Sequence, residues 1–443
     1  MSAATDVGVR PMVPYSGTME NVNVTNGNVN ISIPLLKLRG RNGHDVDLKL
    51  IYDSKIWKFT GGYEPDSNSM GGMWEIDQRE VENPLGPGWH LNIPEIFWTD
   101  YVDPNTGACM WTGVATTFTG SKISFKYNCN IVPAPQVIDS DDELGMRYDF
   151  TQNVLSTPDG IRVYFGRKIV DANGNVISLD RGIKDTLGRE IGGFEGIDRN
   201  GISYKRDGSA TANIRFLYGG VSVHYDFAYP RTTYRNGDLF TYVVNPSGDE
   251  GWEELSQVVL QNGQSYKFFY NSYGELAAIQ YPTGGYTTYE YFPKAETPTA
   301  IAFITPIGKL SADFREVKYK RICPRTDLTP PVTSGVNFDY ANDPCAADER
   351  VTQYIPTVQY FANKMFDVLE PLGKKTHYEL SGASAPGDVT LSGYYAARET
   401  KRDIYEGGTL LRSVSTTYDS DNPVAPYSWS QIASITTTND IGN

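Results

Sequence analysis

The stretch Tyr270-Asn271-Ser272-Tyr273-Gly274-Glu275-Leu276-Ala277-Ala278-Ile279-Gln280-Tyr281-Pro282-Thr283-Gly284-Gly285-Tyr286-Thr287-Thr288-Tyr289-Glu290-Tyr291 decides the fold. Asn271 is followed three residues later by Gly274, then by a polar residue and a short apolar run. Pro282-Thr283-Gly284 breaks that run, and aromatic residues return at alternate positions through Tyr291. An Asx side chain caps its own turn and glycine takes the positive-φ position, so the stretch spells turn, strand, turn, strand. The first frame recurs at Asp171-Ala172-Asn173-Gly174-Asn175 and at Asp185-Thr186-Leu187-Gly188-Arg189. The second recurs at Pro371-Leu372-Gly373, leading to Tyr378-Glu379-Leu380, and at Pro158-Asp159-Gly160, leading to Tyr164-Phe165. Recurrence in a fixed frame marks a repeat architecture in which each hairpin buries its face against its neighbours.

The same grammar extends toward the N-terminus. Val22-Asn23-Val24 and Val29-Asn30-Ile31-Ser32-Ile33 alternate apolar with polar on both sides of an Asn26-Gly27 turn, a strong hairpin signal. Val46 to Tyr52 follows the Arg41-Asn42-Gly43 turn as a further strand. The segment 64–72, rich in Gly, Ser and Asn, is expected to be a loop. Leu85-Gly86-Pro87-Gly88-Trp89 forms a tight turn that delivers a tryptophan into a strand, as core rather than site.

Composition agrees. Glycine (43) and proline (26) punctuate 443 residues so often that the longest stretch free of both is 44–60. That spacing opposes long helices, coiled coils and a membrane-spanning helix, which needs about 20 apolar residues in a row. Thirty tyrosines and abundant Thr and Val between turns indicate an all-β protein. The expected fold is antiparallel hairpin repeats forming a large curved or spirally wound sheet. Residues 1–14 are expected to be flexible, 15–154 to form a β-rich N-terminal domain, and 155–443 to form the repeat sheet, continuing beyond residue 443. The net charge of -14 argues against a nucleic-acid partner, which requires a basic face.

Residues 1–14 carry no signal-peptide pattern as written. Cys109, Cys129, Cys323 and Cys345 fall into two local pairs. Disulfides Cys109–Cys129 and Cys323–Cys345 in an oxidising space and four buried thiols are both open readings. With no CxxC spacing, a zinc site is not expected.

The stretch from Tyr270 to Tyr291 resembles the YD repeat of the Rhs (rearrangement hot spot) family. That repeat has a Tyr-Asp pair, Gly-Arg two residues on, a short apolar strand, Pro-x-Gly and a closing Tyr-x-Tyr. Tyr270, Gly274, Pro282, Gly284, Tyr289 and Tyr291 match; Asn271 stands for the Asp and Glu275 for the Arg. Pro371, Gly373 and Tyr378 belong to a degenerate copy, and Gly86-Pro87-Gly88-Trp89 resembles the opening of such proteins. The resemblance implies hairpins wound into a hollow shell that encloses a toxic C-terminal domain, or forms part of a secreted or surface toxin or adhesin. The family's Asp-Pro-x-Gly-Leu self-cleavage boundary is missing; Thr305-Pro306-Ile307-Gly308 is the nearest string. The chain is therefore expected to be the leading part of a shell. Its partners would be further repeats or an enclosed effector domain, with self-association through open sheet edges.

Chemistry has few candidates. His44, His90, His224 and His377 are far apart, with no Gly-x-Ser-x-Gly elbow. The acids Asp139, Asp141, Asp142 and Glu143, and Asp419 and Asp421, suit solvated loops, although paired acids can run glycoside hydrolysis. Asp171-Ala172-Asn173-Gly174-Asn175 mimics half a calcium loop, but Val176 stands where the glycine belongs. Tyr266, Tyr270, Tyr281, Tyr286, Tyr289 and Tyr291 suit a cross-strand ladder; an exposed row would instead suit cell-surface carbohydrate. The expectation is a non-catalytic, encapsulating protein without catalytic, cofactor or metal residues, secreted or at the cell surface. A carbohydrate-binding module and a glycoside hydrolase are the alternatives. Tyrosines beside a groove would favour the first and two carboxylates converging in a cleft the second.

Overall fold

The computed structural model describes residues 19–439 except 23–26, 55, 65–68, 77–84, 103–108, 117–121, 129–135, 141–144, 181, 192–196, 199–200, 206–210, 225–228, 236–237, 245–248, 272, 292–316, 334–336, 360–362, 383–396 and 419–431. The protein is all-β and its strands pair antiparallel. Among the described residues the helical segments are single 3-10 turns, such as Arg41–Gly43 and Pro371–Gly373, and none is long and apolar enough to cross a membrane.

The N-terminal sheet has four strands, in the order Glu20–Val22, Val29–Leu38, Val46–Asp53 and Trp89–Leu91. Its first hairpin lies where the Asn-Gly signal put it, with Val22 opposite Val29. Two further small sheets follow: the pair Trp57–Glu64 with Ser69–Ile76, and the three strands Glu95–Val102, Cys109–Thr116 and Lys122–Asn128. Of the expected loop 64–72, Glu64 and Ser69–Gly72 are strand, and 65–68 lie outside the described residues. Gly61 pairs with Gly72 and Gly62 with Gly71. The ladder bonds are made by the backbone, so a glycine-rich strand can form where a partner strand lies alongside it.

A second, far larger sheet runs from Val137–Asp139 to Ile432–Asn439 and holds 22 strands among the described residues. The ladder follows chain order, hairpin after hairpin. The interruptions are local: Tyr229–Arg235 and Asp238–Val244 form a hairpin of their own, as do Val332–Thr333 and Asn337–Phe338. The ladder begins before residue 155, and strand Val154–Ser156 spans the expected boundary at 154/155.

Both turn frames are hairpin turns. At Pro-x-Gly, the residue before the proline and the residue after the glycine close the turn: Tyr281 N–H to Gly285 C=O at 2.8 Å, and Thr157 N–H to Ile161 C=O at 2.9 Å. Gly274 has φ +71°, as Gly174 and Gly188 have +81° and +82°.

Side chains alternate across the sheet, as the two-residue period requires. Ile138, Tyr148, Leu155, Val163, Ile169, Ile177, Ile183 and Ile191 fall on one buried face, and their row continues into Ile202, Ile214, Val258 and Phe268. The N-terminal sheet lies on that row, and Ile31, Ile33, Leu48, Leu50, Tyr52 and Trp89 complete one common core.

Candidate functional site

The first group of candidate residues comprises those of the repeat motif. Asn271 Oδ1 accepts the backbone N–H groups of Tyr273 (2.9 Å) and Glu275 (3.1 Å). Asp185 does the same for Leu187 and Arg189 at 3.0 and 2.8 Å, and Asp171 for Asn173 and Asn175 at 2.9 and 2.7 Å. In each turn the second atom of the Asx group bonds the side chain four residues on. The pairs are Asn175 Nδ2 to Asp171 Oδ2 at 2.8 Å, Arg189 Nε to Asp185 Oδ2 at 2.6 Å, and Asn271 Nδ2 to Glu275 Oε2 at 2.8 Å. These bonds, led by that from the Asn175 side chain, hold the Asp171 carboxyl below its usual range. The half calcium loop is thus a self-satisfied Asx turn.

Tyr270 of the motif and Tyr52 of the N-terminal sheet tie the two sheets together. Tyr270 is buried where the turn Leu85–Trp89 meets the ladder. Trp89 Nε1–H donates to Tyr270 OH at 2.7 Å, and Tyr270 OH donates to Leu255 C=O at 2.5 Å. The Trp89 ring lies 4.8 Å from that of Tyr52 and 4.4 Å from that of Phe268. Tyr52 OH accepts the Leu276 N–H at 2.8 Å, and Tyr291 OH donates to Leu276 C=O at 2.9 Å. Burial pushes the Tyr52 and Tyr270 hydroxyls well above the ordinary phenol range, so both stay neutral. Tyr266, Tyr286, Tyr289 and Tyr291 are buried as well, which leaves these four rings and Tyr270 unable to act as a sugar-stacking platform. Further ties are Lys320 Nζ to Glu20 at 2.7 Å, Val317 N–H to Gly27 C=O at 3.2 Å and Arg41 N–H to Thr186 Oγ1 at 2.7 Å.

The second group is the charged face of the later strands, Asn363–Leu369, Lys374–Gly382, Ala397–Glu406 and Thr409–Tyr418. Asp367, His377, Asp403 and Ser413 stand opposite one another across these four strands. His377 Nδ1 lies 2.6 Å from Asp367 Oδ1, Lys375 Nζ 2.9 Å from Asp367 Oδ2, and Lys401 Nζ 3.3 Å from Glu379 and 2.9 Å from Asp403. Ser413 Oγ donates to Asp403 at 2.6 Å. Burial works against it, but the bonds from Ser413, Lys401 and Tyr405 hold the Asp403 carboxyl below its usual range. The other face of the same strands carries Phe366, Val368, Tyr378 and Val414. Arg402 interrupts that face between Tyr378 and Val414, and Asp403 on the charged face is buried.

In the third group the sequence pointed to Tyr286 and the two cysteines but not to Asp343, Glu349 or Arg321. Tyr286 OH donates to Asp343 Oδ1 at 2.7 Å, beside Glu349 and Arg321 and against the Cys323–Cys345 disulfide. The structure therefore brings together one of the two cysteine pairs; Cys129 lies outside the described residues. So do Asp141, Asp142, Glu143, Asp419 and Asp421, and residues 1–14. His44 follows the Arg41–Gly43 turn and the other three histidines sit on three different strands, His377 alone in the charged face. Among the described residues no group of three or more His, Cys, Asp or Glu converges as metal ligands. No family model matches this chain, and no curated protein matches it.

Proposed function

We propose that this chain is a wall segment of an Rhs/YD-type shell, structural and encapsulating rather than catalytic. The observation that carries the reading is the ladder: it grows in chain order, closes its hairpins with both repeat frames, and uses its motif residues in turn bonds and sheet-to-sheet contacts. Its partners are further repeats and an effector domain enclosed by them. The buried Cys323–Cys345 disulfide supports a secreted or cell-surface location, where such bonds persist. The test is to express the chain with the coding sequence that follows it and challenge the product with protease. Protection of the downstream segment, compared with the same segment expressed alone, is expected. Equal cleavage in the two settings would overturn the reading, as would a downstream sequence with no repeat continuation.

A further inference from the structure

The two ring nitrogens of His377, on strand Lys374–Gly382, have different surroundings. Nδ1 lies 2.6 Å from Asp367 Oδ1, and Lys375 Nζ holds the other Asp367 oxygen at 2.9 Å. An ionised carboxylate only accepts, so Nδ1 carries the ring proton, and in the neutral imidazole Nε2 carries the lone pair. Nε2 lies 4.0 Å from Glu379 Oε1, two residues on along the same strand and on the same face. His377 is 22% exposed and Glu379 38%, so solvent reaches both.

A separation of 4.0 Å is too long for a hydrogen bond. It is close to the spacing of two donors on one metal ion, each bonded at about 2 Å, and a small side-chain rotation closes the difference. The pair behind it fits the same chemistry. A carboxylate that accepts the far N–H of an imidazole fixes the tautomer, orients the ring and raises the basicity of the ligating nitrogen. Met365, partly exposed, stands directly opposite Glu379 on strand Asn363–Leu369 and therefore on the same face. Its thioether is a soft donor of the kind copper takes. The charge of this face also favours a cation. The carboxylates of Asp367, Glu379 and Asp403 stand against the ammonium groups of Lys375 and Lys401, which leaves an excess negative charge when His377 is neutral.

Lys401 is the rival for the site. Its Nζ lies 3.3 Å from the same Glu379 oxygen, and 2.9 Å from Asp403 Oδ2. It can release Glu379 and stay paired with Asp403.

We propose that His377 Nε2 and Glu379 Oε1, with the Met365 thioether as a third donor, form a copper(II) site on the charged face of the late strands, and that Asp367 is its positioning residue. Copper is favoured over zinc because an imidazole–carboxylate set binds it more tightly across the divalent series, and the thioether adds to that preference. Water completes the coordination of a site this open.

The test is a copper(II) titration of the metal-free full chain at neutral pH, read by calorimetry and electron paramagnetic resonance. Wild type is expected to bind one equivalent more than His377→Gln, and the resonance of that equivalent to show splitting by a nitrogen donor. Asp367→Asn is expected to keep the stoichiometry and to lose about 10–100-fold in affinity. Lys401→Met tests the site without removing a ligand: with the competing ammonium gone, copper is expected to bind more tightly than to wild type. Zinc, titrated in parallel, is expected to bind more weakly than copper. Equal copper stoichiometry in wild type and His377→Gln would overturn the site. Unchanged or weaker binding by Lys401→Met would remove Glu379 as a ligand and overturn it as well, and a higher affinity for zinc would overturn the choice of metal.

Discussion

Asn271 donates from Nδ2 to Oε2 of Glu275 at 2.8 Å, which is the contact Arg189 makes to Asp185 at 2.6 Å with donor and acceptor exchanged. The Asp185 turn has the acid first and the base four residues later. In the Asn271 turn the polarity is reversed and the geometry kept. The two turns thus share a need for a donor–acceptor pair rather than for particular residues.

This relationship predicts a double-mutant cycle. Asn271→Asp alone sets a carboxylate against Glu275, a residue buried to 2% exposure, and is expected to cost about 1–3 kcal/mol. Adding Glu275→Gln restores a donor, and the pair is expected to recover at least about 1 kcal/mol of that loss. Denaturant melts of the four proteins measure it. Simple additivity would show that the two side chains do not cooperate.

Tyr270→Phe is expected to weaken the attachment of the N-terminal sheet. It removes the bond to Leu255 C=O and leaves Trp89 Nε1–H without its acceptor in a dry core. A loss of about 1–3 kcal/mol follows from one stranded donor and one stranded acceptor. Calorimetry, with Trp89 fluorescence as a local probe, tests it. An unshifted melt and emission spectrum would place the burden of this junction elsewhere.

Gly88→Ala is expected to be more damaging than its size suggests. Gly88 has φ +81°, and a Cβ there would lie 2.6 Å from Asp53 O and 2.7 Å from Tyr52 Cε2. The left-handed backbone and the collision with a backbone oxygen act together, because the sheet behind Asp53 cannot retreat without breaking register. Proteolysis at neighbouring sites should accelerate relative to wild type. An equally resistant variant would show that the turn can shift to make room.

The strand Ile432–Asn439 pairs, among the described residues, with Thr409–Tyr418 alone, and Ser434–Asn439 are exposed. Thr409–Tyr418, the next strand in, is paired on both sides. An uncovered edge templates another strand, so association is expected to grow with concentration despite the charge of -14. Ile435→Lys places a charge on a side chain that is 60% exposed and should suppress it. Light scattering across a concentration series reads the difference. If wild type and variant scatter identically as monomers, the edge is already capped.

Much of this fold could be read locally. Asp171, Asp185 and Asn271, each three residues before a glycine, announce hairpins because an Asx turn is closed within five residues. The alternation on either side of Gly27 announces the first hairpin for the same reason. The glycine-rich strand at 69–76 escaped, since composition argues for a loop and only pairing with 57–64 makes it a strand. Trp89 was placed in the core, but its acceptor lies 181 residues away and nothing nearby in sequence points to it.

The sequence by itself determined the class: turns at short, regular spacing, a two-residue apolar period, and glycines where φ must be positive leave antiparallel hairpins as the arrangement that satisfies every backbone group. It also determined where the ladder turns, because those bonds are short-range. The tertiary structure alone decided which hairpin row the N-terminal sheet covers, and that Trp89, Tyr270 and Leu255 form one hydrogen-bonded junction. It alone decided that Tyr286 and Asp343 meet beside the Cys323–Cys345 bond. Those outcomes depend on burial and on contacts between distant segments, where the cost of an unsatisfied polar group is set by which chain happens to lie against it.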